Sequence, residues 1–219
     1  MKFKFNVQTN IMKATFSIFL FLLATAIFTS SSCNNADKVS VDKSEESKGE
    51  NMVLSDKDQV DMAKHHNDAK FDQAAANDAQ FAVDAAVINL WVIEISNLAQ
   101  VRSIRPDVKS FAKKMSSDNK KAYDELKILA NRKNITLPPT LGVDEAKDAR
   151  KLNDENKNFD VKYTSMMVDA HKKAIDRFEK VIIDCKDTEL RAWAEKMLPT
   201  LRQHVDMSMT LNDRIKVQD

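Results

Sequence analysis

The chain has 219 residues, a formal net charge of +1 and 31% charged residues. Because basic and acidic residues are nearly equal in number and alternate along the chain, they form no basic footprint, and we exclude nucleic acid as a partner. The chain has only 2 Gly and 4 Pro, too few for the many turns of a β-rich fold.

The first 32 residues have the pattern of a secretory signal peptide. Lys2, Lys4 and Lys13 form a basic region, and an apolar run from Ala14 to Phe28 follows it. About fifteen residues is the length of a signal-peptide core and falls short of the roughly 20 residues that span a bilayer. We therefore predict a signal peptide over residues 1–32.

Small residues lead from this run into a cysteine, with Ser30, Ser31 and Ser32 directly before Cys33. The pattern resembles the lipobox of bacterial lipoproteins, in which this cysteine is lipidated, although Ser30 stands where that motif usually has Leu. The resemblance implies a lipid anchor on Cys33 that holds the protein to a membrane of the cell envelope, facing the periplasm. The alternative is ordinary cleavage near Ser32, which gives a soluble periplasmic protein.

The residues after Cys33 are mostly Ser, Asp, Glu, Lys and Asn. Such a stretch buries too little apolar surface to offset the entropy cost of ordering it, so we predict a disordered tether over residues 33–54. Residues 55–76 are predicted to form an N-terminal helical extension. His65 and His66 lie in its polar part and are predicted to be solvated.

From Asp78 onward, apolar residues recur every three or four positions, which is the period of an amphipathic helix. The pattern predicts four long helices over residues 77–217. Asn77 or Asp78 caps the first helix, Pro106 opens the second, and Asp187 or Thr188 caps the fourth.

The long helices are similar in length, about 28 residues or roughly 40 Å each, and short turns join the first to the second and the third to the fourth. This arrangement predicts an all-α four-helix bundle. A short surface helix over residues 144–153 is predicted in the connection between the second and third helices. Cys185 is predicted to be a buried small side chain.

One polar side chain on each long helix takes a position in the apolar stripe: Glu94, Asp118, His171 and His204. Counted from the two short turns, all four fall near the middle of the bundle. Two imidazoles and two carboxylates are a ligand set for one divalent transition metal such as zinc, iron, manganese or copper. The residues predicted to surround this centre are Asn119, Tyr163 and Ser208.

A hydrogen-bonded polar cluster without a metal is the alternative interpretation of these residues, because buried polar groups in bundles often fix the register of the helices. Carboxylate-bridged di-iron bundles use Glu-x-x-His pairs, whereas Val168 and Leu201 stand three residues before the two histidines. That argues against a ferroxidase. We predict no catalytic residues.

Several short motifs resemble an exported bacterial ferritin-like family that is catalogued as domain of unknown function 4142. They include Asp78-Ala79-Gln80-Phe81, Met167-Val168-Asp169-Ala170-His171 and Leu198-Pro199-Thr200-Leu201. The resemblance implies a ferritin-like bundle on a secreted or lipid-anchored protein, with no established activity. The family commonly has a histidine where this chain has Asn119, which weakens the case for a metal.

We therefore expect a lipid-anchored envelope protein that acts as a binding or structural module through contacts with an envelope protein partner. The alternative is a metal-binding or metal-dependent redox protein that uses the polar site at the bundle centre.

Overall fold

The computed structural model describes residues 56–218. The predicted signal peptide, Cys33 and the tether lie outside the described residues. Within the described range there are six helices and no strand: α1 (Asp56–Lys70), α2 (Gln73–Arg102), α3 (Pro106–Arg132), α4 (Val143–Asn153), α5 (Phe159–Asp184) and α6 (Thr188–Gln218). The predicted all-α bundle, with a short extra helix in the connection between the second and third long helices, is confirmed.

The predicted cap of α2 is wrong, because the helix begins at Gln73. The carboxylate of Asp72 accepts a hydrogen bond from the backbone N–H of Ala75 (3.0 Å) and caps it. Alanines fill the first turn, and their high helix propensity lets the helix start before the apolar stripe does. The N-terminal extension therefore divides into α1 and the first turn of α2.

Asp78 instead stabilises the turn between α5 and α6. Its buried carboxylate accepts hydrogen bonds from the backbone N–H groups of Lys186 (3.0 Å) and Asp187 (2.8 Å). Asp187 in turn accepts from the N–H groups of Glu189 (3.0 Å) and Leu190 (2.9 Å), which confirms the predicted cap at that position. The start of α2 and the start of α6 are thus joined by side-chain hydrogen bonds.

The connection between α3 and α5 runs the length of the bundle. It starts where Lys133 pairs with Asp187 (2.7 Å) and ends where the Arg102 guanidinium donates to the carbonyl of Glu155 (2.9 Å). Between these points α4 packs along α2. As a result α5 runs parallel to α3, and both are antiparallel to α2 and α6.

The helix α2 is apolar on almost every side because it contacts four other helices, α1, α3, α4 and α5. By length and composition it would also pass for a membrane span, but 56% of its most apolar window is buried inside the bundle. These properties are expected of the central helix of a folded domain.

The helix α1 is tied to the loop after α3 through Asn67, which is buried. Its amide donates to the carbonyl of Thr136 (3.0 Å) and accepts from the N–H of the same residue (2.8 Å). His65 and His66 are exposed, as predicted, and Cys185 is buried.

Candidate functional site

Two apolar clusters fill the bundle, one near the turn between α5 and α6 and the other near the turn between α2 and α3. A polar layer lies between them. On α5, His171 separates Met167 of one cluster from Phe178 of the other, and on α6, His204 separates Leu198 from Leu211. Both imidazoles are only 2% exposed.

A continuous series of close polar contacts crosses this layer from α5 to α3. Nδ1 of His171 contacts the carbonyl oxygen of Met167 (2.8 Å), and Nε2 of His171 lies 3.2 Å from Nδ1 of His204. Nε2 of His204 contacts Oδ2 of Asp118 (2.9 Å), which also accepts from the ammonium of Lys114 (2.8 Å). The side chains thus link the buried interior to the half-exposed carboxylate of Asp118.

The hydrogen-bond partners of the outer ring nitrogens determine which nitrogen of each imidazole carries the proton. A carbonyl oxygen only accepts hydrogen bonds, so His171 carries its proton on Nδ1. Hydrogen bonds to a carboxylate are stronger than those to a neutral acceptor, so His204 carries its proton on Nε2, toward Asp118. With both imidazoles neutral, these tautomers leave a lone pair on each of the two nitrogens that face each other.

Burial disfavours the charged form of both imidazoles. It lowers the pKa of His171 to about 4, with a further contribution from the neighbouring His204. Burial also lowers the pKa of His204, although Asp118 opposes the shift. For Asp118, burial acts to raise the pKa, but the hydrogen bonds from Lys114 and His204 outweigh it and hold the pKa below its usual value.

The structure brings together three of the four residues predicted for the polar centre: Asp118, His171 and His204. The prediction that Glu94 belongs to this centre is wrong, because its side chain is exposed and lines a groove between α2 and α4. Its neighbour Leu98 lines the same groove.

The three residues predicted to surround the centre make other contacts. Asn119 donates to the carbonyl of Met115 (2.9 Å), and Ser208 donates to the carbonyl of His204 (2.6 Å), so each bonds within its own helix. The hydroxyl of Tyr163 shares a hydrogen bond with Ser96 (2.9 Å). None of the three hydrogen-bonds to an imidazole nitrogen.

A pocket of about 320 Å³ opens between α3 and α6, beside the polar layer. His204 and Asp118 line one side of it, and Phe178 and Trp193 contribute aromatic surface. The indole N–H of Trp193 is buried and has no hydrogen-bond partner within the described part of the protein.

Two buried amides, Asn89 on α2 and Asn119 on α3, also line this pocket. Each uses its NH₂ group for a carbonyl one turn earlier in its own helix, Ala85 (2.7 Å) and Met115 (2.9 Å) respectively. Their carbonyl oxygens remain available to accept. The sequence analysis missed Asn89, although its place between Ala85 and Val92 in the apolar stripe is a signal for it.

Among residues 56–218, no group of three or more His, Cys, Asp or Glu side chains is arranged to hold a metal ion. A di-iron centre of the ferritin type needs several carboxylates and two histidines around its metals. With Glu94 on the surface, one carboxylate remains, and it bonds to an imidazole. The residues present do not fit such a centre.

A family model described as "Domain of unknown function (DUF4142)" matches residues 62–211. A solved structure, "Crystal structure of DUF305 fragment from Deinococcus radiodurans", has a similar fold, with a TM-score of 0.55 and 14% sequence identity over 63% of this chain and 95% of that chain. At that identity the likeness concerns the fold alone. No curated protein matches the chain.

Proposed function

Because the chain belongs to the family described as domain of unknown function 4142, whose description states no activity, we propose a function from the site itself. The protein is a lipid-anchored envelope protein whose bundle binds a small, largely apolar ligand in the pocket between α3 and α6.

The unpaired indole N–H of Trp193 carries this proposal. A buried donor without a partner costs about 1–3 kcal/mol, so folded proteins rarely keep one. Trp193 lines the pocket, so a bound ligand that reaches the indole N–H and accepts its hydrogen bond would recover that cost. The free carbonyl oxygens of Asn89 and Asn119 offer it two acceptors from the neighbouring helices.

The size and walls of the pocket indicate the class of ligand. A volume of about 320 Å³ lies at the lower end of the roughly 300–1,000 Å³ of small-molecule sites. Phe178 and Trp193 favour an aromatic ring, because such rings stack or pack edge to face. We infer a small aromatic or heteroaromatic molecule with one acceptor for Trp193 and a donor for Asn89 or Asn119.

A surface that binds a protein partner has less support. The exposed large apolar side chains of the described residues are spread over α1, α2, α3, α5, α6 and the turn after α2. Scattered apolar side chains are normal on a folded domain, whereas a docking surface needs a contiguous patch. The pocket is therefore the better candidate for the site of binding.

Binding to the pocket is tested with anilinonaphthalene sulfonate, an aromatic amine that fluoresces in apolar sites. Trp91→Phe leaves Trp193 as the one tryptophan, and we expect Trp193 to transfer excitation energy to one bound probe per chain. Adding Ala122→Phe fills the pocket from α3 and is expected to weaken binding at least tenfold, about 1.4 kcal/mol. The readout is a fluorescence titration without detergent, in the Cys33→Ala background, because the probe also fluoresces in micelles.

The matched control is Ala192→Phe, which places the same ring on the exposed side of α6 and should leave the titration unchanged. Circular dichroism checks that each variant is folded, because partly unfolded protein also binds this probe. Equal binding by the Ala122→Phe and Ala192→Phe variants would show that the probe does not bind in the pocket, and the proposed binding site would be wrong.

Membrane attachment is tested separately at Cys33. Acyl chains contribute about 0.8 kcal/mol for each buried methylene group, so a multiply acylated cysteine holds a protein durably on a membrane. We expect Cys33→Ala to move the protein from the membrane pellet to the soluble fraction on cell fractionation. Cys185→Ala is the control and should leave the protein in the pellet; a Cys33→Ala protein that also stays there would refute the anchor.

The sequence also allows a metal-binding or metal-dependent redox protein. The four-residue site on which it depended is not assembled, since Glu94 faces α4. The two buried imidazoles of that site remain in contact, with their facing nitrogens 3.2 Å apart.

A further inference from the structure

The two buried histidines present to each other the nitrogens that carry no proton. The outer nitrogen of each ring is occupied, Nδ1 of His171 by the carbonyl of Met167 (2.8 Å) and Nε2 of His204 by the carboxylate of Asp118 (2.9 Å). The inner nitrogens lie 3.2 Å apart, on rings that are perpendicular to each other. In these tautomers two lone pairs face each other at that distance, and a cation between them, a proton or a metal ion, would relieve their repulsion.

We propose that Nε2 of His171 and Nδ1 of His204 together bind one divalent cation of the zinc class. Two nitrogen ligands about 2.0–2.1 Å from a tetrahedral zinc are about 3.3 Å apart, which is close to the distance observed. Neutral imidazole suits zinc, cobalt, nickel and copper.

The groups behind the two rings match the pattern of metal-binding histidines. Such a histidine almost always donates its other N–H to a carboxylate or a backbone carbonyl, which fixes the tautomer and aims the free nitrogen. Asp118 does this for His204, and the carbonyl of Met167 does it for His171. Both of these acceptors are fixed in position. The Asp118 carboxylate accepts a hydrogen bond from Lys114 (2.8 Å), and the Met167 carbonyl is part of the backbone of α5.

His204 also lines the pocket, and we expect the remaining coordination positions to open toward it. The described residues supply no third His, Cys, Asp or Glu ligand, so two positions of a four-coordinate ion would be left to water or other small oxygen ligands. Lys114 already neutralises Asp118, and we therefore expect an anion among those ligands. This inference goes beyond the aromatic-ligand proposal and holds even if the pocket accepts no such molecule.

The test uses Co²⁺, whose visible absorption depends on its ligands, with Zn²⁺ as the competitor. The full chain in detergent is stripped with a chelator and titrated at pH 7.5. We expect one Co²⁺ per chain with tetrahedral-type absorption that Zn²⁺ abolishes. His171→Gln and His204→Gln should each lose this absorption, and Asp118→Asn should weaken binding by about 10–100-fold, as the loss of an orienting partner does.

The control is the double variant His65→Gln and His66→Gln, since these exposed neighbours on α1 are the other histidines of the chain. It should bind Co²⁺ like the original protein. Binding that disappears in this control, or persists in His171→Gln, would overturn the proposal.

A second measurement on the unaltered protein covers the case in which a histidine variant does not fold. Nitrogen-15 spectra of the imidazoles should show Zn²⁺ shifting Nε2 of His171 and Nδ1 of His204 while their outer nitrogens stay protonated. A proton shared by the inner nitrogens at pH 7.5, which Zn²⁺ does not displace, would mean that the pair binds a proton only and the proposal is wrong.

Discussion

Replacing Asp78 with Ala is expected to lower the free energy of unfolding by about 2–4 kcal/mol. The carboxylate of Asp78 is 8% exposed and accepts from the backbone N–H groups of Lys186 and Asp187 in the turn before α6. Its removal leaves these donors without a partner, and hydrogen bonds to a charged acceptor are among the stronger ones. Urea unfolding followed by circular dichroism measures the effect.

Two further variants separate the hydrogen bonds from the loss of a side chain. Asp78→Asn keeps one acceptor oxygen without the charge and should fall between the original protein and Asp78→Ala. Asn77→Ala changes the exposed neighbour and should stay within about 0.5 kcal/mol of the original protein. If Asp78→Ala were as stable as Asn77→Ala, the carboxylate would not be holding the turn.

The helical bundle could be predicted from the sequence because helix formation is largely local. The apolar period remains in phase through Ser116 and Ser117, and α3 is accordingly continuous there. The course of the connection before α5 could not be predicted in the same way. It depends on contacts between distant residues, such as Arg102 with Glu155, and no periodicity of a single helix contains that information.

The buried residues of the polar centre could be predicted on helices that bury only one face in the core. His171 and His204 lie on helices whose apolar residues form one stripe, so a polar residue within that stripe had to be buried. The same reasoning failed for Glu94, because α2 contacts four helices and its apolar residues do not define a single face. The unpaired N–H of Trp193 depends on the positions of all its neighbours, and no sequence pattern indicates it.

Burial of His171 also has a consequence for stability that can be measured in the chelator-treated protein. Because burial lowers the pKa of this imidazole from its usual 6.5 to about 4, the unfolded chain binds a proton between these values and the folded chain does not. The derivative of unfolding free energy with pH is then positive, so stability is lost as the pH falls from about 6.5 toward about 4. The charged and titratable groups nearest to His171 in this network are His204, Asp118 and Lys114.

We expect His171→Gln to reduce this pH dependence by about 3 kcal/mol between pH 7 and pH 4, since each pKa unit corresponds to about 1.4 kcal/mol. The quantity to measure is the difference in unfolding free energy between the original protein and the variant at each pH, because the carboxylates common to both cancel in it. His65→Gln removes an exposed histidine and should give a difference that hardly changes with pH. A flat difference for His171→Gln would show that the folded protein accommodates the proton on this ring, and the assignment of a proton-free gap between the two imidazoles would then be wrong.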